Sequence, residues 1–304
     1  MSRWEVLRQE FLKDLALRGM TERTRDTYRL DLEEFLRYLR ACGIEAVSDV
    51  TVEVLRAYQT DLFERVGARG RRRTLATQAH HLATVRSFFG YLYRRGLILT
   101  DPTRLLVMPK VKRRLPAVIL TEAEVDRFLS AIEVRTALGI RDRAMFETLY
   151  STAMRVSELA GLFPEDVDVS EGFVRIVRGK GQKSRVVPLG RLAARWIRRY
   201  LEEGRPSVST DRPLFLTHRG RRLSRADIAQ RAVHWAQRAK LEKKVTPHVL
   251  RHSCATHMLR RKASLRHLQD LLGHKDPSTT QIYTHVEITD LKKMHDRCHP
   301  RGRR

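Results

Sequence analysis

From Phe11 to Leu92 the apolar residues recur three and four positions apart: Phe11, Leu12, Leu15; Tyr28, Leu32, Phe35, Leu36, Leu39; Val54, Leu55, Tyr58, Leu62; Leu82, Val85, Phe89, Leu92. That spacing lines one face of a helix and suggests four of them in succession. Thr21 and Thr51 stand where two of these helices need an N-cap. The pattern breaks between Asp101 and Pro116, where Pro102, Pro109 and Pro116 bracket Lys110, Lys112, Arg113 and Arg114. Proline lacks an amide donor and restricts the residue before it, so this stretch is expected to be extended. With 304 residues the chain can hold two cores. The expected division is a helical domain over 1–108, a basic linker over 109–116 and a second domain over 117–304.

In the second domain Thr121 and Glu124 have the spacing of a capping box. The first clear strand signal is Phe173–Arg178, followed by Gly179-Lys180-Gly181 and then Ser184-Arg185-Val186-Val187-Pro188. Apolar β-branched residues flanking a glycine-rich turn point to a hairpin. Helical pattern then resumes nearly to the end, so the fold class is mainly α with a small β-hairpin or sheet.

Charge narrows the partners. The chain carries 60 Lys and Arg against 35 Asp and Glu, a formal net charge of +25. Through Val107 the count is 19 basic against 14 acidic, and from Met108 onward 41 against 21. Such an excess repels itself unless a polyanion offsets it, which makes nucleic acid the first candidate partner. The linker cations can lie along a phosphate backbone, or form a solvated charge run. The charged start and the lack of any apolar run of about 18 residues argue against secretion and membrane insertion. Three scattered cysteines, Cys42, Cys254 and Cys298, indicate neither a disulfide framework nor a structural zinc site, and fit a reducing cytoplasm. His295, Cys298 and His299 have metal-ligand spacing but no matching pair, so no metal is assigned.

Four clusters can carry chemistry. Arg155, in Thr152–Leu159, opens a helical segment, where a guanidinium fork and a helix N-terminus both favour a phosphate oxygen; a surface ion pair is the plainer alternative. Lys180 projects from between two glycines, free to enter a DNA groove and donate a proton, with Lys183 and Arg185 beside it; a solvated basic turn fits that segment equally well. In Thr246-Pro247-His248-Val249-Leu250-Arg251-His252, Thr246 fits an N-cap and Pro247 the first helical position. His248 and Arg251 then share a face in the first turns, where free amides favour an anion; the alternative for His248 is a structural hydrogen bond. Lastly, Gly273 fits a helix C′ position and Asp276-Pro277 the start of the next helix, leaving His274 in the corner and Tyr283 on or just after that helix. A packed tyrosine with a paired hydroxyl is the alternative there.

Taken in order, Arg155, Lys180, His248 with Arg251, His274 and Tyr283 resemble the active-site set of the tyrosine recombinases, or phage integrase family, most closely its Xer-type members. The likeness extends to Arg155-Val156-Ser157-Glu158-Leu159, Leu272-Gly273-His274 and Tyr283-Thr284-His285-Val286. Ala153-Met154 departs from the usual Gly-Leu, a change expected to alter packing more than chemistry. The resemblance implies an N-terminal helical, SAM-like core-binding domain and a C-terminal catalytic domain. It implies a site-specific recombinase in which Tyr283 attacks a DNA phosphodiester to form a 3′-phosphotyrosyl link. Arg155, Arg251 and His274 would stabilise the phosphorane, His248 would take the tyrosine proton and Lys180 would protonate the leaving 5′-oxygen. Arginines supply the cations, so no metal or other cofactor is implied. Lys110, Lys112, Arg113, Arg114, Lys183 and Arg185 are the expected DNA contacts. The expected assembly is a tetramer on two double-stranded sites, with or without a second recombinase, acting in the cytoplasm at the nucleoid on chromosome or plasmid dimers. The lack of residues for an arm-binding domain ahead of the first helices favours this Xer-like reading over a mobile-element integrase. A type IB topoisomerase would share the chemistry. A non-catalytic DNA-binding regulator would explain the charge but not Lys180, His274 and Tyr283.

Overall fold

The computed structural model describes residues 2–66, 70, 72–111, 118–177, 184–207, 212–273 and 285–302, with the backbone alone for 285–289. The chain divides into two compact units, Met1–Arg114 and Leu115–Arg304.

The first unit contains the four helices that the apolar spacing suggests, α1 (Arg3–Leu17), α2 (Glu22–Ala41), α3 (Val52–Glu64) and α4 (Leu75–Arg94). The caps follow the sequence: Thr21 accepts from the amide of Thr24 at 3.3 Å and Thr51 from that of Val54 at 3.5 Å. Phe11, Phe35, Phe88 and Phe89 are fully buried and meet edge-on, Phe11 to Phe88 at 5.4 Å between centroids and Phe35 to Phe89 at 6.1 Å. Each such ring contributes roughly 1.5–3 kcal/mol through burial. Past α4 the chain is tied back by Arg86, whose guanidinium donates to the carbonyls of Thr103 at 3.3 Å and Leu106 at 2.8 Å.

The second unit runs α5 (Glu122–Ser130), α6 (Ala137–Thr152), α7 (Val156–Leu159), β1 (Val167–Asp168), β2 (Phe173–Ile176), β3 (Arg185–Pro188), α8 (Arg191–Arg199), α9 (Arg225–Arg238), α10 (Pro247–Arg260), α11 (Leu265–Leu272) and α12 (His285–Cys298). The hairpin is present as β2 and β3, antiparallel, with Val174 opposite Val187 and Ile176 opposite Arg185. The two-residue β1 adds a third strand in the order β1-β2-β3. Helix α6 is the centre of this unit, buried on nearly every side, with α5, α8, α10 and β3 packed around it. Two acids are buried along it. Asp142 accepts from Arg141, Arg231 and Trp235, and Glu147 from Arg143 and Arg301. Among the described residues no helix is long and apolar enough to cross a membrane.

Helix α12 and the residues after it lie against the end of α6. His295 and His299 stack at 4.6 Å and 8° and are buried; their Nε2 atoms pair with the carbonyls of Ser151 at 2.9 Å and Tyr150 at 3.2 Å. Two of the three residues with metal-ligand spacing, His295 and His299, thus each use Nε2 to pair with a backbone carbonyl. Nδ1 of His299 accepts the Arg301 amide at 3.1 Å, which requires the neutral ring. Burial, then the neighbouring His295, holds His299 well below its ordinary pKa, and burial lowers His257 as well. A histidine depressed in the folded state lends stability above its unfolded pKa of about 6.5, and this is lost as pH falls toward the folded value. The unfolding free energy of the DNA-free protein, measured by urea titration, should therefore drop between pH 7.5 and 5, by up to about 1.4 kcal/mol per pH unit for each histidine. A flat profile, or one unchanged in His299→Gln, would refute this.

Candidate active site

Helix α6 ends at Thr152, and Ala153 turns the chain with φ 48° and ψ 26°. This left-handed conformation costs an alanine roughly 1–2 kcal/mol and suits glycine. The alanine at 153 therefore affects backbone strain as well as packing. Ala153 and Met154 are both fully buried. The turn delivers Arg155 as the N-cap of α7.

Glu158, three residues on, fixes Arg155 twice. Its Oε2 accepts the Arg155 amide at 2.8 Å and its Oε1 accepts from Arg155 Nη1 at 3.1 Å. The same carboxylate receives a second guanidinium from β3, with Arg185 Nη1 and Nη2 each at 2.9 Å. Burial would raise the Glu158 carboxyl, but the hydrogen bonds and charge of Arg185, with the amide and charge of Arg155, hold it at about 2.

Helix α10 starts as the sequence indicates: Thr246 accepts from the Val249 amide at 3.2 Å and Pro247 is the first helical residue. One turn in, Arg251 is half-buried; it donates to the carbonyls of Ala153 at 2.5 Å and Leu272 at 2.8 Å. Burial, followed by repulsion from Arg155 and Arg185, lowers its pKa to about 10, against the opposing pull of Glu158. Helix α11 ends at Gly273, with φ 62°, as its glycine suggests. The last three carbonyls there each meet a different arginine: Leu271 takes Arg185 Nε at 3.4 Å, Leu272 takes Arg251, and Gly273 takes Arg155 Nη2 at 3.5 Å. Three guanidiniums thus converge around one carboxylate and a helix C-terminus, an arrangement that favours an incoming anion.

The structure brings Arg155 and Arg251 together and leaves His248 exposed on the first turn of α10. Lys180, His274 and Tyr283 lie outside the described residues, as do Lys112, Arg113, Arg114 and Lys183. Lys110 is exposed in the first unit. Two expectations need correction. Arg185 is not a surface DNA contact: it is 4% exposed and its fork is committed to Glu158. Nor does the helix dipole favour a phosphate at Arg155, because α7 is four residues long and its Glu158 caps the Arg155 amide. Sequence carried a signal for each. Glu158 has the N3 spacing of a capping box after Arg155, and Arg185 shares a strand face with apolar Val187.

Comparison with known proteins agrees over nearly the whole chain. The Phage integrase family profile matches residues 119–289, and the profile for Phage integrase, N-terminal SAM-like domain, matches residues 9–96. Tyrosine recombinase XerD of Yersinia pestis is 43% identical over 301 residues, covering 97% of this chain and 97% of that protein. Tyrosine recombinase XerD of Proteus mirabilis is 41% identical over 303 residues, covering 98% and 94%. In fold, the chain is similar to a lambda integrase dimer bound to a core site, with TM-score 0.69 at 19% identity, covering 94% of this chain and 100% of that one. It is likewise similar to the XerH recombinase bound to difH in a pre-cleavage complex, with TM-score 0.66 at 24% identity, covering 93% and 82%. The chain belongs to the phage integrase family and is a Xer-like tyrosine recombinase, an enzyme that cuts and rejoins DNA.

Proposed function

We propose that Tyr283 is the nucleophile and that Arg155 and Arg251 hold the scissile phosphate, with His274 as a third donor, His248 as the acceptor of the tyrosine proton and Lys180 as the acid for the leaving 5′-oxygen. The observation that carries this reading is the convergence of Arg155 and Arg251 on the Gly273 and Leu272 carbonyls, just ahead of His274 in sequence. Two guanidiniums can neutralise the phosphorane through paired, charge-assisted hydrogen bonds. The covalent 3′-phosphotyrosyl link keeps the phosphodiester energy, so a 5′-hydroxyl can reverse the step without ATP. We assign the enzyme to the resolution of chromosome or plasmid dimers, working as a tetramer on two duplex sites, with or without a second recombinase, in the cytoplasm where that DNA lies. The near full-length XerD relatives support this use.

Lys180 gives the sharpest test of the acid role. Lys180→Ala should slow cleavage of an ordinary strand by roughly 10²–10⁴. It should largely spare a strand whose bridging 5′-oxygen is sulfur, since a thiolate leaves without a proton. Equal loss on both substrates would assign Lys180 to groove binding instead. The basic excess after Val107 predicts binding dominated by phosphates. With about 8 phosphates neutralised, log affinity should fall against log salt with a slope near −7; a slope near zero would count against it.

A further inference from the structure

We propose that Arg185 is a positioning residue for strand cleavage: from β3 it clamps Glu158 and so locks the turn that presents Arg155. The inference rests on the reading that Arg155 holds the scissile phosphate. Three observations carry it. Arg185 is buried, and its two terminal nitrogens meet the two oxygens of Glu158, each at 2.9 Å. Glu158 in turn holds both the amide and the guanidinium of Arg155. Arg185 Nε also reaches the Leu271 carbonyl at 3.4 Å, on the helix whose final residues take Arg251 and Arg155. One side chain therefore joins the hairpin strand, the Arg155 turn and the end of α11.

A lone ion pair between Glu158 and partly exposed Arg155, three residues apart, would confine neither side chain closely. A bidentate fork from the buried side leaves the carboxylate one orientation, and Arg155 then has one place to point. The clamp also keeps Glu158 charged. Among the described residues, the groups facing that carboxylate include Arg155 at the start of α7, Arg185 on β3 and Arg251 on α10. Burial acts against ionisation, so removing Arg185 lets Glu158 take up a proton at a higher pH and release Arg155.

The test is single-turnover cleavage of a nicked suicide substrate across pH 5 to 8.5, with DNA affinity, its salt slope and the thermal midpoint measured on the same proteins. Arg185→Met should lower the cleavage rate at saturating DNA by about 10²-fold, the scale of a small misplacement at a reacting centre. Its rate should fall off on the acid side at least one pH unit above the wild-type limb, with the affinity and salt slope unchanged. Arg185→Lys, which keeps the charge, should restore the wild-type limb and part of the rate; if Arg185→Met does not fold, Arg185→Gln, which also removes the charge, takes its place and is read in the same way. A lower salt slope with normal cleavage at saturation would make Arg185 a DNA contact. A slower Arg185→Met with an unmoved pH profile would make it structural only. Either result overturns the proposal. Arg155→Ala on the same substrate separates the two readings. If that variant cleaves normally, the phosphate role of Arg155 fails; if it is inactive while Arg185→Met cleaves normally, the positioning role alone fails.

Discussion

Tyr283→Phe should leave no protein attached to a nicked suicide substrate on a denaturing gel, while Tyr150→Phe should still form the adduct. The chain has eight tyrosines, and five of them, Tyr28, Tyr38, Tyr58, Tyr91 and Tyr93, lie in the first unit. Of the remaining three, Tyr200 is fully buried and its hydroxyl accepts the Leu216 amide at 3.2 Å. Tyr150 is 1% exposed, with its hydroxyl 2.8 Å from His257 Nδ1 and its ring against His299. His257 Nε2 pairs with the Leu120 carbonyl at 2.8 Å, so Nδ1 is the acceptor and the Tyr150 hydroxyl the donor. Burial pushes that hydroxyl's pKa up, which opposes the phenolate an attack would need. Tyr283 stands just ahead of α12 and close in sequence to the α11 end where the arginines gather. Phenylalanine keeps the ring and the charge, so DNA affinity should change by no more than about 1 kcal/mol, the net worth of one hydrogen bond. An adduct that persists in Tyr283→Phe and vanishes in Tyr150→Phe would reverse the assignment.

Asp142→Ala should cost the second unit about 3–5 kcal/mol, the usual penalty for breaking a buried ion pair from one side. Asp142 is fully buried. Its Oδ1 takes Arg141 Nε at 3.0 Å and Nη2 at 2.6 Å, and its Oδ2 takes Arg231 Nε at 2.6 Å and Trp235 Nε1 at 2.7 Å. Arg141 is itself buried and would keep only the Leu216 carbonyl, at 2.9 Å, among the partners described for it. The carboxylate also joins α6 to α9, so its loss loosens the helix whose C-terminal turn leads into Arg155. Asp142→Asn retains an acceptor and should lose less. Urea unfolding of the DNA-free protein provides the comparison, and a loss under 1 kcal/mol in Asp142→Ala would show that the pair is dispensable.

The helices, their caps and the hairpin were legible because they depend on residues near in sequence. Thr246-Pro247 and Leu272-Gly273 set the ends of α10 and α11 by local geometry. The arrangement of charge was not legible in the same way. Asp142 and Glu147 look like surface residues of an amphipathic helix until α6 proves to be wrapped on nearly every side. Arg185 looked like a groove contact because it follows a basic turn, and only its partner Glu158, from a different element, turns it inward. The core position of Tyr150 is legible, because Met145, Phe146 and Leu149 precede it in the same apolar run. Pairing between distant charged groups leaves no periodic trace in a sequence.

Three successive carbonyls at the end of α11 receive three different arginines, so the length of this helix works as a ruler. Each residue of an α-helix turns the backbone by about 100° and advances it 1.5 Å. Inserting or deleting one residue within Leu265–Leu272 would swing Leu271, Leu272 and Gly273 away and present each guanidinium with the wrong oxygen. Exposed Leu265, Arg266 and Gln269 are free to vary in kind, provided that helix propensity is kept. Working variants of this enzyme should therefore tolerate many substitutions on the outer face of α11 and almost no change in its residue count.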